Sequence, residues 1–440
     1  MTAPFRLIAA LGLALAAALP ARAAIDITPV TSPGGIEAWM VEEHAIPMVA
    51  LELRFEGGAS LDGEGARGAI HLMTALLEEG AGEMDAQEFS VAVERIAARF
   101  EFDVGPDALS VSAKFLAETA DEAIELLRLA LTEPRFDADA IERVRGQVLS
   151  NLASDAKDPD AIASDRFNAM AFPDHPYGTP HEGTPDSVAA LTRDDLIAAK
   201  ERVLARDRVH VAAVGDIDAG ALGAMLDDLL GGLPESGAPL PGPAEFALDG
   251  GRTVVEFDTP QSVVAFGQEG IGMDHPDFFP AFVMSQILGG AGFGSRLTEE
   301  VRRERGLTYG IYTALWTQLY AEQLRGQTST VNARVGETVA VIREEWRRMA
   351  EAGPTAEELD AAKTYLTGAY PLRFDGNERI ANILAGMQLD DMPIDYVNTR
   401  NDRVEAVTLE DVRRVAADLV RPGDLHFVVV GQPQGLDAGN

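Results

Sequence analysis

The chain has 440 residues, with 71 acidic against 36 basic side chains and no cysteine, which gives a formal net charge of −35 at pH 7. The lack of cysteine excludes disulfides and thiolate metal sites, and so negative a charge argues against nucleic acid or an anionic membrane surface as a partner. At about 150 residues per domain, the length predicts two or three domains.

The first 23 residues, MTAPFRLIAALGLALAAALPARA, have the three parts of a secretory signal peptide. Arg6 supplies the positive charge, residues 7–19 are apolar, and Ala21-Arg22-Ala23 is a small-residue cleavage site. The apolar run is too short to span a bilayer, and no later segment is long and apolar enough to do so. We therefore predict a signal peptide over 1–23, no membrane insertion, and a periplasmic or secreted mature protein.

Residues 24–230 are predicted to form a first lobe. Apolar alternation predicts strands over 36–44 and 48–58, and a strand pattern also covers 100–116. Helical spacing of apolar residues predicts helices near 66–80, 85–99, 119–132 and 137–155.

An internal repeat predicts a second lobe of the same kind. Residues 191–216 align without a gap on residues 407–432, and each copy reads as a threonine N-cap, an amphipathic helix and an apolar strand that ends in glycine. A repeat period this long indicates duplicated lobes. Residues 231–251 are rich in Gly and Pro and are predicted to link the lobes, which leaves 252–440 as the second lobe.

The order of strands and helices recurs in the second lobe and indicates the fold class. Strands are predicted near 254–258 and 262–270 and again up to about residue 330, with helices near 276–288, 335–352 and 355–370. We predict an α+β fold in which each lobe is a mostly antiparallel sheet with helices packed on one face.

The segment from Gly289 to Tyr309 holds the candidate functional residues. A Gly-rich turn opens it, a strongly charged helix follows, and Gly306 is expected to end the helix because glycine is favoured at a C-cap. Arg302 and Tyr309 are thereby brought to one place, where a guanidinium and a phenol hydroxyl can hold a carbonyl oxygen or the oxyanion it becomes. The alternative interpretation is a surface helix with ion pairs three and four residues apart.

Several motifs resemble the pitrilysin/insulinase family of zinc peptidases, which includes the mitochondrial processing peptidases. The residues are Gly57-Gly58-Ala59-Ser60, His175-Pro176-Tyr177-Gly178 with Gly183, Ser295-Arg296-Leu297, Arg302, and Gly306-Leu307-Thr308-Tyr309. The resemblance covers nearly all of the mature chain. It implies two lobes that close like a clamshell, and that Arg302 and Tyr309 contact the substrate backbone near the scissile bond.

The zinc motif of that family is degenerate in this chain. The family carries H-x-x-E-H on a helix, where two histidines hold zinc and the glutamate takes a proton from the zinc-bound water. Here the string is His71-Leu72-Met73-Thr74-Ala75, so the base and the second ligand are missing. Asn151 stands where the resemblance places the third ligand, a glutamate. We therefore predict no metal site and no cofactor in this chain.

The other histidines are not interpreted as ligands. His210 and His426 occupy matched positions in apolar strands and are predicted to be structural. His175, His181 and His275 lie in loop-like stretches without a partner four residues away, which favours surface or turn roles.

A rearranged metal site from His71 with Glu78 or Glu79 was also considered. A catalytic zinc normally needs three protein ligands in fixed geometry, so His71 is better read as a side chain left on a packed helix.

The family contains pairs in which one subunit carries zinc and the other a degenerate helix. The resemblance thus implies a zinc-bearing paralogous partner that supplies metal and base, while this chain binds the peptide and supplies Arg302 and Tyr309. Two alternatives stay open: a non-enzymatic peptide-binding or scaffold protein of the same fold, and an active zinc endopeptidase with an atypical metal site.

Overall fold

Two β-sheets, one in each half of the chain, organise the structure, a computed structural model. The structure describes residues 25–292 and 294–436, so the predicted signal peptide, 1–23, lies outside the described residues. None of the helices in the described part combines the length and the apolarity that crossing a bilayer requires.

Residues 25–250, the described part of the first half, contribute eight strands and eight α-helices. The strands are β1 Thr28–Thr31, β2 Glu37–Glu42, β3 Met48–Glu56, β4 Gly80–Ala81, β5 Met84–Asp85, β6 Arg99–Val104, β7 Ala108–Leu116 and β8 Val209–Gly215. The helices are α1 Ala69–Thr74, α2 Ala86–Arg95, α3 Ala120–Thr132, α4 Ala138–Asp155, α5 Pro159–Ala171, α6 Pro185–Ala190, α7 Arg193–Val203 and α8 Ala219–Leu230.

The described residues of the second half, 251–292 and 294–436, form five strands, six α-helices and one π-helix. The strands are β9 Gly251–Glu256, β10 Gln261–Glu269, β11 Thr308–Thr317, β12 Glu322–Val331 and β13 His426–Gly431. The α-helices are α9 Phe278–Gly289, α10 Val335–Ala352, α11 Ala356–Ala369, α12 Asn377–Leu389, α13 Tyr396–Ala406 and α14 Leu409–Leu419, and the π-helix is Thr298–Glu304.

Five strands of each sheet share one topology, and the first sheet has β1 as an additional edge strand. The first runs β1-β2-β8-β3-β7-β6 and the second, read in the same direction, runs β9-β13-β10-β12-β11, with β4 and β5 in a separate hairpin. In each sheet one pair is parallel, β2 with β8 and β9 with β13, and the other pairs are antiparallel. The predicted α+β class with two homologous, mostly antiparallel lobes is confirmed, and β6 and β11 occupy equivalent edges.

The repeated helix-strand unit is held by the same local interactions in both halves. Thr192 accepts from the N–H of Asp195 at the start of α7, and Asp195 accepts from the N–H of Thr192 at 2.8 Å. Thr408 and Asp411 form the same capping box at the start of α14. Each box satisfies backbone donors that a helix N-terminus leaves free, and each helix leads to the central strand that ends at a glycine with positive φ.

The two halves also exchange one helix each. Helix α5 packs Ala163, Phe167 and Ala171 against β10 and β13 of the second sheet. Helix α12 packs against β3 and β8 of the first sheet through its fully buried residues, Ala381, Leu384 and Ala385. Each sheet therefore has its own half's helices on one face and a single helix from the opposite half on the other, an addition to the predicted arrangement.

The predicted helix at 66–80 is much shorter in the structure. Only Ala69–Thr74 is α-helical, because Gly68 at its start has φ +91° and turns follow as far as Gly80, which has φ +106°. Residues 231–250, all of them described, contain no helix or strand. The domain boundaries around that segment stay a prediction.

Candidate functional site

Thr74 and Ala75, which replace the base and the second ligand of the zinc motif, are wholly or partly buried. Thr74 is 2% exposed and its hydroxyl donates to the carbonyl oxygen of Ile70 at 2.8 Å within α1. Ala75 is partly buried and packs against the core of the first half. A hydroxyl and a methyl group offer neither a base nor a nitrogen ligand at these two places.

His71, the one remaining histidine of the motif, has a second histidine beside it. The His181 ring lies edge-on at 5.9 Å between centroids, and its Nδ1 is 3.2 Å from Glu182 Oε2. Burial lowers the pKa of His71, with the charge of Glu182 acting in the opposite direction. Among the described residues His71 Nδ1 is buried without a hydrogen-bond partner. The sequence placed His181 in a loop but gave no sign of this pairing.

The other candidate ligands are engaged elsewhere. Asn151 lies exposed on α4 and accepts from Gln147 Nε2 at 2.9 Å. Glu79 forms an ion pair with Arg143, with Nη1 to Oε1 at 2.8 Å. Burial raises the pKa of Glu78, which disfavours the charged form that a metal requires. Within residues 25–292 and 294–436 no three His, Asp or Glu side chains are grouped so as to hold a metal ion. The residues present therefore do not fit a zinc site.

Arg302 and Tyr309 lie together in the structure. The π-helix that carries Arg302 ends at Gly306, whose φ of +57° lets its N–H donate back to the Arg302 carbonyl at 3.1 Å. The chain then reverses into β11, and the Arg302 guanidinium carbon lies 5.2 Å from the centre of the Tyr309 ring. Tyr309 is 91% exposed. A cation over an aromatic face is attracted to it, so the half-buried Arg302 and the exposed Tyr309 form one donor pair.

Neighbouring charges anchor this segment. Arg296 is buried and forms a bidentate pair with Glu358 of α11, at 2.6 and 2.8 Å. Arg303 pairs with Glu299 at 2.6 Å on the helix surface, as the alternative interpretation expects. The ion-pair interpretation thus accounts for Arg303, while Arg296 fixes the segment to the core and Arg302 points to Tyr309.

A groove extends from the Arg302–Tyr309 pair across the second sheet. Its floor is the face of β12 that carries Arg325 and Gln327, and its walls are helix α5 on one side and β11 on the other. Alternate β11 residues Tyr312 and Trp316 are 48% and 47% exposed along that wall. A cavity of about 510 Å³ lies at the Tyr309 end, and one of about 500 Å³ at the other end beside Trp316 and His181.

Family comparison agrees with this geometry. Residues 39–185 match the family model of insulinase (peptidase family M16), and residues 190–366 match that of the peptidase M16 inactive domain. The chain belongs to peptidase family M16.

Relatives of this M16 chain include a protein named as a non-peptidase homolog and a subunit of a processing peptidase. It is 29% identical over 390 residues to the non-peptidase homolog YmxG of Helicobacter pylori, covering 88% of this chain and 90% of that protein. It is 24% identical to the beta subunit of the mitochondrial-processing peptidase of Lentinula edodes, over 87% of this chain and 84% of the relative.

Among solved structures, the M16 chain is similar to a peptidase M16 inactive domain from Pseudomonas fluorescens. The TM-score is 0.86 at 27% identity, over 93% of this chain and 98% of the other. The fold is also shared with a protease from Helicobacter pylori, with a TM-score of 0.83 at 17% identity over 92% and 99% of the two chains. Together with the lost zinc ligands, these likenesses identify a degenerate member of the family.

Two parts of the site were not predicted from the sequence. His181 approaches His71 because Arg67, which precedes α1, donates to the carbonyl oxygens of Pro176, Thr179 and Pro180. Arg325 lies beside α5 because that helix crosses to the second sheet. The alternation of β12 places Arg325 and Gln327 on one face and is the signal that could have indicated the groove floor.

Proposed function

We propose that this chain is the non-zinc subunit of a heterodimeric exported M16 metallopeptidase. It binds the peptide substrate and supplies Arg302 and Tyr309 to the active site of a zinc-bearing paralogous partner. The observation that carries the proposal is the combination of the Arg302–Tyr309 pair with a degenerate helix that does not fit zinc.

The chemistry asked of this chain is binding and charge stabilisation. A zinc ion held by the partner would supply the nucleophilic water and polarise the carbonyl. Arg302 and Tyr309 donate hydrogen bonds to a substrate carbonyl oxygen, and these bonds strengthen as that oxygen gains negative charge. The stacking of the guanidinium on the ring orients both donors before the substrate arrives, so less entropy is lost on binding.

The peptide is expected to lie along the β11 edge. Strand β11 has a sheet neighbour, β12, on one side only, so its other side presents backbone donors and acceptors. Pairing with an extended peptide through these groups is largely independent of side-chain identity. A subunit of this kind thus accepts peptides of varied sequence and holds them beside Arg302 and Tyr309.

The test uses the purified chain, a zinc-bearing exported paralogue with an intact H-x-x-E-H, and a fluorogenic peptide. We expect hydrolysis by the mixture only, and Arg302→Ala or Tyr309→Phe to lower kcat/KM of the mixture by about 10²-fold. Arg303→Ala is the matched control, because that arginine pairs with Glu299 on the exposed side of the same helix. Hydrolysis by this chain alone with stoichiometric zinc, or full activity of the mixture after both substitutions, would refute the proposal.

A non-enzymatic peptide-binding or scaffold role is the second candidate, favoured by the likeness to a non-peptidase homolog. It predicts that the complex forms and works equally well after Arg302→Ala. The same mixing experiment therefore separates the two candidates. An atypical zinc site in this chain has less support, since Glu79 is paired with Arg143.

A further inference from the structure

A buried arginine lies at the far end of the groove. Arg325 is in the middle of β12 and is 8% exposed. Its guanidinium carbon is 4.6 Å from the centre of the Phe167 ring on α5 and 5.7 Å from that of Trp316 on β11. The two rings and the sheet enclose the cation on several sides.

The hydrogen bonds of Arg325 go to neutral groups. Nη1 donates to Asn168 Oδ1 at 2.7 Å and Nη2 donates to Ser164 Oγ at 3.0 Å. These bonds use two of the five N–H donors of a guanidinium. Among the described residues no carboxylate comes within ion-pair distance of it. Burial lowers the pKa of Arg325 to about 10, so it stays a cation at neutral pH.

A buried charge without a contacting countercharge is costly, and this one opens on a cavity. The cavity of about 500 Å³ is lined by Arg325, Trp316 and Asn168, by Asp165 on the same helix as Asn168, and by Glu182. Asp165 attracts the Arg325 cation without forming an ion pair with it. Arginine is suited to carboxylates because its planar fork matches their two oxygens. Asn168 and Ser164 hold the fork in place on one side, leaving its remaining donors for a ligand.

We propose that this cavity is a subsite for one carboxylate of a bound peptide, anchored on Arg325. The inference rests on the proposed function, that an extended peptide pairs with the free edge of β11, from where one of its carboxylates reaches across β11 into the cavity. Arg325 is opposite Ala314 of β11, five residues along that strand from Tyr309. At about 3.3 Å per residue, the anchored carboxylate lies roughly 15–20 Å from the carbonyl held by Arg302 and Tyr309. The source is either the C-terminal carboxylate or an Asp or Glu side chain about five residues from the cleaved bond.

Two carboxylates in the cavity lining limit which ligands the subsite accepts. Asp165 and Glu182 repel a second negative charge, so peptides with clustered acids are disfavoured. Burial, followed by repulsion from Glu182 and Asp155, raises the pKa of Asp165 to about 6. Asp107, His181 and Glu182 are the other titratable groups in the lining besides Arg325 and Tyr177. Loss of the Asp165 charge at mildly acidic pH strengthens carboxylate binding.

Three forms of one neutral, N-acetylated peptide of about ten residues, more than enough to cover the roughly 15–20 Å between the two sites, test the proposal by fluorescence anisotropy. One has a free C-terminal carboxylate, one a C-terminal amide, and one an amide plus a single internal glutamate. For the unaltered chain we expect at least one carboxylate form to bind about ten-fold more tightly than the neutral amide, as one charge-assisted hydrogen bond provides. The peptide form that binds more tightly identifies whether the anchored carboxylate is the C-terminus or an acidic side chain.

Arg325→Gln is expected to abolish that ten-fold preference and leave binding of the neutral amide within about two-fold, since backbone pairing is untouched. Arg347→Gln, at an exposed arginine paired with Glu344 on α10, is the matched control and keeps the preference. If Arg325 only holds α5 in place, Arg325→Gln is expected to weaken the binding of all three peptides equally. A preference that survives Arg325→Gln in folded protein overturns the subsite.

If Arg325→Gln fails to fold, the three peptides with the unaltered chain still test the Arg325 subsite. Equal binding of all three peptides overturns the Arg325 subsite and leaves the proposed peptide-binding function standing. If none of the three binds, both proposals fail.

Discussion

Tyr177→Phe removes one hydroxyl at the point where the two halves of the chain are hydrogen-bonded to each other. That hydroxyl donates to Asp107 in the β6–β7 turn and accepts from the backbone N–H of Tyr320, at 3.2 Å, in the β11–β12 turn. Asp107 also accepts from the N–H of Leu319 at 3.3 Å. Tyr177 is 5% exposed, so water does not replace the lost group.

The expected cost follows from these contacts. A hydrogen bond to a charged group contributes about 1.5–3 kcal/mol, and a buried donor left without a partner costs about 1–3 kcal/mol. Asp107 keeps its bond from the N–H of Leu319, which offsets part of the loss. We therefore expect the free energy of unfolding to fall by about 2–3 kcal/mol.

Urea denaturation followed by tryptophan fluorescence measures this change, because Trp316 lies in the strand that enters the β11–β12 turn. Tyr309→Phe is the matched control: it removes the same atom from a side chain that is 91% exposed and should change stability by less than about 0.5 kcal/mol. In an Asp107→Asn background the cost of Tyr177→Phe should shrink by at least about 1 kcal/mol. Equal unfolding midpoints for Tyr177→Phe and Tyr309→Phe would refute the reasoning.

Three further predictions concern the zinc helix, the exchanged helix and the groove. Ala75→His combined with Asn151→Glu gives His71 two additional ligands, and elemental analysis should then find stoichiometric zinc, whereas Ala75→His alone should stay metal-free. Leu384→Ala on α12, at a fully buried position, should lower the free energy of unfolding by about 2–5 kcal/mol in urea titrations, and an unchanged midpoint would contradict the packing of this helix on the first sheet. Asp165, whose pKa is raised from 3.8 to about 6 mainly by burial, binds a proton in the folded chain over a pH range where the unfolded chain has lost it. Stability contributed by this group therefore falls as pH rises from about 4 to about 6, and Asp165→Asn should flatten that part of a stability–pH curve.

Local signals predicted much of the fold. The predicted helix over 335–352 has the bounds Val335–Ala352 in the structure, because apolar spacing of three and four continues without a break until Gly353. Gly306 ends its helix at positive φ as predicted, since only a residue without a Cβ takes that conformation cheaply. These features depend on neighbours within one turn of the chain, which the sequence displays directly.

Features that depend on distant partners were not predictable in the same way. No helix was assigned to Pro159–Ala171 or Asn377–Leu389, whose apolar faces are completed only by the sheet of the opposite half. The helix near 66–80 was predicted too long, because apolar spacing continues past Thr74 while the backbone does not. The enclosure of Arg325 likewise depends on Phe167, more than 150 residues earlier in the chain.

The exchanged helices have a consequence for how a substrate enters. Swinging the two halves of one subunit apart would strip α5 from the second sheet and α12 from the first, exposing apolar faces that are fully covered at rest. Such a movement would expose a large apolar area to water, at a cost of about 25 cal/mol per Å². The two halves of this chain are therefore expected to move as one body, and in the proposed pairing with a zinc-bearing subunit the opening for an incoming peptide lies between the two subunits.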